Sequence, residues 1–465
     1  MEPMKESVKL NTGTNKIAQF IHSTHESQIP KEVMDYAKKA MLDYIGVCLA
    51  GSEESCTRII AQYVREQKSA EDANVIAQGF KTSAELAALA NGTEAHALDY
   101  DDTIASSVHY NLHPSCPIFS AVFPVAEKHN MSGRELLTAY IVGLEVQYRV
   151  GLAIGQAIAP SGWHSTAILG TIGSVAAVSN LLRLDIRQII MALGIAGSLT
   201  GGMAANLDTM TKPMHAGNAA RSGIIAAMLA RNGYGANDAI LDGQFNFCQM
   251  FSGGKIKEIG DAVDNLSEQW DIVTRGLTFK PYPCCRANHA CIDAILHIKE
   301  HDKPDLGQIE SIVCKTHPII PIFASRHKPK TGYEGKFSVE YCIATALLNG
   351  KVQLEDFTDE NVIDTKRIAI GEKVSFVHPS GWGIGTVDLK AEVLVRLENG
   401  HVFSNLVNFP KGEPENPMSD EEFINKFKDC AGIMLGQREC EKAIDLITNF
   451  DRIIKVSDLL NLLKK

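Results

Sequence analysis

The chain has no surplus of positive charge: 45 Lys and Arg face 55 Asp and Glu, for a net charge of −10. Nucleic acids and anionic membrane surfaces both call for a broad basic face, so neither is an expected partner. An anionic ligand would have to be attracted by local groups. The sequence also lacks an uninterrupted apolar run of bilayer length. Its most apolar stretch, Ile168 to Met203, is broken by Asn180, Arg183, Asp185, Arg187 and Gln188, and reads as buried helices. Met1 to Lys16 is polar and mixed in charge, without the apolar core of a secretory signal. The 11 cysteines are odd in number and irregularly spaced, which fits reduced thiols in a cytoplasmic protein. There is no phosphate-binding glycine loop, no dinucleotide fingerprint and no GxSxG elbow, so nucleotide-dependent enzymes and α/β-hydrolases lose their main support. What is present is ordinary globular sequence, 465 residues long and 45% hydrophobic, with room for two domains.

From Lys16 to about Asn265 the apolar pattern is helical nearly throughout, as in Val33 to Ala50 and Gly133 to Ile154, and strands are hard to find. Ala, Gly and Ser are frequent in Ala167 to Ala230, which predicts closely packed helices around a deep core. After Trp270 the texture changes. Ile309 to Thr316 and Val387 to Leu397 alternate apolar and polar residues, as half-buried strands do. The second run passes through Asn399-Gly400 into His401 to Val407, the signature of a β-hairpin. Helices are expected at His289 to His301 and Ser338 to Leu348. The fold class expected is therefore mainly α: a large all-helical domain over 1–268 and a smaller α+β lid domain over 269–407. Asn408 to Pro417 reads as a linker, and C-terminal helices over 408–465 are expected to return to the helical domain.

Several basic residues stand where a helix is about to begin. His113 precedes Pro114, which holds it outside helical geometry. His164 precedes Ser165-Thr166, a cap for the Ala167 helix. Lys212 precedes Pro213, a natural first helical residue, with His215 one turn in. Lys280 precedes the run Pro281 to Arg286 and the helix through His289. A helix N-terminus favours anions, so a Lys or His there opposes the dipole unless a carboxylate arrives to be held by both. Four unrelated surface loops would give the same pattern, and spacing does not decide between the two accounts.

The acidic cluster Asp99-Tyr100-Asp101-Asp102-Thr103 lies upstream of His109 and His113. One reading is an acid that orients a histidine, with a hydroxyl that binds substrate. A second is a metal site, since His109 and His113 are four apart, although Pro114 breaks any helix that would align them. A third is an Asp-rich cap and turn. Cys284-Cys285 could be a thiol acid–base pair or a metal site, but adjacent side chains diverge and no second CxxC is near, so packing is the better account. Tyr341, within a helix after a basic loop, is by itself core-like.

Together these segments resemble the MmgE/PrpD family, which includes 2-methylcitrate dehydratases, cis-aconitate decarboxylases and iminodisuccinate epimerases. The pieces that carry the resemblance are LDYDDT (98–103) followed by HPS (113–115), GWHSTA (162–167), TKPMHAGNAAR (211–221) and FKPYPCCRANHACIDA (279–294), in order along nearly the whole chain. The resemblance implies a helical core domain, a smaller lid, a homodimer, and an active site between the domains that uses no metal or organic cofactor. It implies a pocket of Asp99, Thr103, His113, His164, Lys212, Lys280 and Tyr341. In that reading His113, Asp99, His164, Lys212 and Tyr341 are catalytic, and Thr103, Lys212, Lys280, His164 and His215 bind substrate. The TKPxHxGNAA form of the Lys212 segment is closer to the decarboxylase and epimerase branches, while YPCC departs from the animal decarboxylase pattern. The expected function is a cofactor-free lyase on a small di- or tricarboxylate. The alternative is an epimerase or racemase of a substituted dicarboxylate; further off stand a metal-dependent hydrolase and a non-catalytic carboxylate-binding protein.

Overall fold

A computed structural model describes residues 12–105, 108, 110–318, 320–324, 326–382 and 389–464. The chain is mainly helical, with a mixed four-stranded sheet in its C-terminal region. It divides into two compact units: Met1–Ile104, Tyr110–Leu277 and Asp420–Lys465 form one, and Ala105–His109 with Thr278–Ser419 the other. Among the described residues no helix is long and apolar enough to cross a membrane.

The first unit is a helical assembly. The elements that position the site are α1 (Lys31–Gly51), α2 (Ala84–His96), α3 (Ser115–Lys128), α4 (Gly133–Ile158), α5 (Ser165–Leu181) and α6 (Thr211–Arg231). Ser132 starts α4 in a capping box with Glu135, which satisfies orphan amides at that end. Every residue of α5 is buried, so a helix that is apolar all round sits in the centre, packed by α3, α4 and α6. Close packing depends on missing side chains. A Cβ at Gly217 of α6 would lie 2.1 Å from the Leu89 carbonyl oxygen of α2, and one at Gly92 would lie 2.6 Å from the Gly217 Cα. The backbones of α2 and α6 therefore touch at this crossing. In the C-terminal segment, helix α9 (Asp420–Ala431) packs on α1, where Lys426 reaches Asp43 at 2.5 Å and the Tyr100 carbonyl at 2.9 Å.

The sequence pattern missed one feature here. Ala73–Val75 and Phe80–Thr82 form a short antiparallel hairpin (β1 and β2) within the helical region. Three-residue strands are too short for alternation to register.

In the second unit, α7 (His289–His301) and α8 (Val339–Asn349) accompany the sheet. Its strands are β3 (Ile309–Thr316), β4 (Val374–Val377), β5 (Ala391–Leu397) and β6 (Val402–Val407), in the order β4-β3-β5-β6. β5 and β6 form the hairpin, and Gly400 takes the left-handed conformation (φ 84°) that its turn requires. β4 runs parallel to β3 and was not expected; at four half-buried or exposed residues it carries no strong pattern. The expected start of the β5 strand, Val387-Asp388, lies outside the described residues. The stretch read as a linker is packed: Glu413 is fully buried and accepts a hydrogen bond from the Thr278 hydroxyl at 2.8 Å, and the Phe279 amide donates to the Gly412 carbonyl at 3.0 Å.

Candidate active site

The first unit gathers four histidines, two carboxylates and a lysine. Helix α2 ends at His96, and the chain then reverses through Asp99, which holds a left-handed conformation (φ 52°) that Asp tolerates better than most residues. The reversal turns Asp99 and Asp101 back toward His96. A hydrogen bond from the Ile104 amide to the Leu112 carbonyl (3.0 Å) closes the following loop and brings His113 to the same place. The His113 backbone amide donates to the Thr166 hydroxyl at 3.2 Å, which ties it to the start of α5. Asp102 takes the capping role foreseen for one of the three acids: it accepts from the amide and hydroxyl of Ser115 at the start of α3. Burial and the neighbouring Asp43 push its carboxyl well above the usual range.

His113 lies between two carboxylates. Its Nδ1 is 3.1 Å from Asp101 Oδ2, and its Nε2 is 3.5 Å from Asp99 Oδ1. That same Asp99 oxygen is 2.7 Å from the Lys212 ammonium. Asp101 also meets His96, whose Nδ1 lies 3.1 and 3.0 Å from its two oxygens. The His96 and His113 rings meet edge to face at 4.5 Å, and the His96 ring stacks at 5.8 Å on that of His164. His164 and His215 approach Nδ1 to Nδ1 at 3.1 Å, so one of these nitrogens donates and the other accepts. All seven side chains belong to buried residues.

Electrostatics divides the histidines. Burial first, then His96, Lys212, His215 and His113, holds the His164 imidazole well below its ordinary value. Burial, His96 and Lys212 lower His215 to about 4. This pair is neutral at pH 7 and suited to hydrogen bonding rather than to carrying charge. Asp101 goes the other way: burial would raise it, but the charges and hydrogen bonds of His113 and His96 outweigh burial and hold it well below the usual carboxylate range. Asp101 is therefore an anion that only accepts.

His96, Asp99, Asp101 and His113 could between them chelate a metal ion, with one ligand atom from each lying within 4.8 Å of the others. The charge a cation would supply is already provided at Asp99 by the Lys212 ammonium, so the set fits a metal poorly. His109, the other histidine of the metal reading, lies outside the described residues.

The expected site residues fall into two groups. Asp99, His113, His164, Lys212 and His215 come together in the first unit, where Thr103 is also buried. Lys280 and Tyr341 belong to the second unit. Three local expectations need correction. His164 itself occupies the cap position of α5, without a side-chain cap bond. α6 begins at Thr211, so Lys212 is already in its first turn. Lys280 is not at a helix start: Pro281 and Pro283 interrupt the segment, and the next turn begins at Arg286. The Tyr341 hydroxyl donates to the Asp356 carbonyl within its own unit. Cys284 is buried in the core of the second unit, as the packing reading expected. Burial pushes its thiol up, yet hydrogen bonds with Cys342 and His289 and the charges of His289 and Lys280 outweigh that and bring it to about 5. His96 and Asp101 were missed as site residues, although His-x-x-Asp-x-Asp (96–101) was a usable signal.

A buried set of imidazoles and carboxylates beside a lysine, gathered at helix ends and the turns that join them, defines a candidate centre for proton transfer next to an anion. Residues 15–259 match the MmgE/PrpD N-terminal domain and residues 282–452 the MmgE/PrpD C-terminal domain, so the chain belongs to the MmgE/PrpD family of enzymes. It is similar to the cis-aconitate decarboxylase of Mus musculus, with 28% identity covering 98% of this chain and 94% of that protein. The Aspergillus terreus cis-aconitate decarboxylase is 27% identical over 97% and 95%. A mitochondrial 2-methylcitrate dehydratase of Yarrowia lipolytica is 25% identical over 89% and 84%.

Proposed function

We propose that the protein is a lyase acting on a small di- or tricarboxylate through a carbanion next to a carboxylate, without metal or organic cofactor. The observation that carries this reading is His113, with one ring nitrogen on Asp101 and the other beside the Asp99–Lys212 pair. The names of the relatives support a citrate- or aconitate-like substrate.

In the decarboxylation the C–CO2 bond breaks and CO2 leaves. The bonding electron pair stays on a carbon conjugated with a remaining carboxylate, and His113 Nε2 delivers a proton to that carbon. In the dehydration the same atom takes a proton from the carbon next to a carboxylate, and the hydroxyl leaves as water with a second proton. Lys212 and the first-turn amides of α5 and α6 would spread the developing negative charge. His164 and His215, neutral and donor-capable, would bond carboxylate oxygens. Thr103 is proposed to bond a substrate oxygen, Lys280 to anchor a carboxylate, and Tyr341 to assist with its hydroxyl. A homodimer is part of the proposal, and light scattering should report twice the chain mass.

The test is incubation with cis-aconitate, 2-methylcitrate and iminodisuccinate in D2O, followed by NMR. One of the first two should be consumed, with deuterium in the product of any decarboxylation. Conversion of iminodisuccinate alone would transfer the assignment to the epimerase. His113→Gln should lower kcat by roughly 10²–10⁴-fold, the range of general acid–base groups, while a ligand still binds. Exhaustive EDTA treatment should leave turnover intact; loss that added Zn2+, Mg2+ or Fe2+ restores would move the chemistry to a metal.

A further inference from the structure

His96 has no part in the mechanism above, yet it is the most completely enclosed imidazole of the cluster. Its side chain is fully buried, its Nδ1 spans both oxygens of Asp101, and its Nε2 is buried without a hydrogen-bond partner among the described residues. Leaving a polar atom in that state opposes folding, so simple packing is a poor reason to place an imidazole there. What the placement does accomplish is to fix Asp101. A carboxylate contacted at both oxygens by one imidazole is held against rotation, and Asp101 Oδ2 then lies 3.1 Å from His113 Nδ1, an ion-pair distance that a small turn of the ring converts into a straight hydrogen bond.

We propose that His96 is a positioning residue that acts through Asp101 to lock the proton of His113 on Nδ1, so that Nε2 alone exchanges protons with substrate. This rests on the lyase reading for its catalytic consequence, but its first part concerns the resting protein. The argument is one of donors and acceptors. Asp101 in its ionised form can only accept, so each imidazole facing it must present an N–H there. Nδ1 of His113 is therefore protonated whether the ring is neutral or charged. The only proton that comes and goes is on Nε2, at the edge bordered by Asp99 and Lys212. The charged and titratable groups facing the His113 ring include Asp99, backed by Lys212, Asp101, His96 and His164. Of these, Asp101 lies 3.1 Å from Nδ1. The arrangement is His–carboxylate–His, with the outer histidine as the brace.

The experiment has a structural arm and a kinetic arm. Protein labelled with 15N histidine is observed by long-range 1H–15N correlation, with the His96 and His113 signals identified by their loss in His96→Asn and His113→Gln. In the wild type both rings should carry a proton on Nδ1; a His113 protonated on Nε2 alone overturns the proposal. In His96→Leu the His113 signals should move toward a mixture of tautomers. His96→Asn, whose amide can still donate to Asp101, should keep them near the wild-type position.

In the kinetic arm His96→Leu should lower kcat at least about tenfold with little change in KM, and His96→Asn should recover most of it. Asp101→Asn, the direct loss of the orienting acceptor, should approach the roughly 10⁴-fold cost seen when such a carboxylate is replaced in a triad. Equal losses in the Leu and Asn variants, or a change confined to KM, would also overturn it. If His96→Leu does not fold, the wild-type spectrum and the Asn variant still decide. If the wild type turns over none of the carboxylates tried, the lyase reading fails, and the tautomer of His113 still tests the brace. A 1:1 metal stoichiometry in the purified protein, with the ring nitrogens shifted to values typical of metal ligands, would replace it with a chelate.

Discussion

Lys212 and Asp99 form an ion pair whose worth can be measured apart from catalysis. Their charged atoms are 2.7 Å apart, with side-chain exposures of 8% and 4%. Removing one member of such a pair leaves a buried charge uncompensated, at about 3–5 kcal/mol. His113 Nε2, 3.5 Å from the same Asp99 oxygen, can take over part of the compensation. Lys212→Met, which keeps the stem, should therefore sit near the lower end, destabilising by about 3 kcal/mol. Asp99→Asn keeps a residue type that tolerates the left-handed conformation found there, so its cost is electrostatic rather than steric. The double variant leaves a neutral pair, and neutral replacements of buried ion pairs are often close to wild-type stability. A coupling of at least about 2 kcal/mol should emerge from the cycle. The assay is urea unfolding followed by tryptophan fluorescence in a Trp382→Phe background. The remaining tryptophans, Trp163 and Trp270, both report on the first unit. The double variant should be stable and inactive. Single variants that add to the double within about 0.5 kcal/mol would refute the argument, because they would show a pair too well solvated to couple.

Stability should also fall with pH in a defined window. In the unfolded chain His215 takes a proton at its ordinary value of 6.5, and in the folded protein only at about 4. Between these values the unfolded state binds more protons, so stability is lost as pH falls through this window. The thermal midpoint should drop there, and His215→Asn should flatten the drop; an unchanged slope would remove His215 as its source. Gly217→Ala should destabilise by about 1–3 kcal/mol or more, because the new methyl meets the Leu89 carbonyl oxygen at 2.1 Å and the helices must part. Urea midpoints would check it, and a wild-type midpoint would show that the crossing has slack. Tyr341→Phe removes the donor to the Asp356 carbonyl and should cost about 1 kcal/mol in the absence of any ligand. A loss of activity with no loss of stability would place the hydroxyl in the chemistry instead.

What was legible in the sequence was what periodicity and helix boundaries express. The runs at His289–His301 and Ile309–Thr316 could be bounded because their apolar spacing is long and regular. Lys212, His215, His164 and His113 could be picked out because each stands against the polarity of a helix start. Less legible was anything that depends on a tertiary approach. His96 looks like a favourable cation at the end of an alanine-rich helix, where the dipole welcomes it. Only its meeting with Asp101, after a left-handed residue, gives it another part. Of the acids in the 99–103 cluster, Asp101 lies 3.1 Å from His113 Nδ1, while Asp99 lies 2.7 Å from Lys212 and 3.5 Å from His113 Nε2. Alternation along the chain cannot rank neighbouring acids that a turn points in different directions. Glu413 stood in a polar, proline-containing stretch that reads as a linker, and its burial depends on the Thr278 hydroxyl, far away in sequence.

The site and the core are set by one contact. Gly92 and Gly217 bring α2 and α6 to backbone distance. From that crossing His96 lies four residues further along α2, about 6 Å, and Lys212 lies five residues back along α6, about 7.5 Å. The C-terminal end of one helix thus meets the N-terminal end of the other. The first carries His96, the brace proposed for His113; the second carries the lysine, with His215 one turn in. A wider crossing would move these groups apart together, because the helices are rigid over such lengths. The small residues that read as a packing signature are therefore also what fixes the spacing of the charged groups. A substitution at Gly92 or Gly217, remote from the reacting atoms, should act on kcat through that spacing.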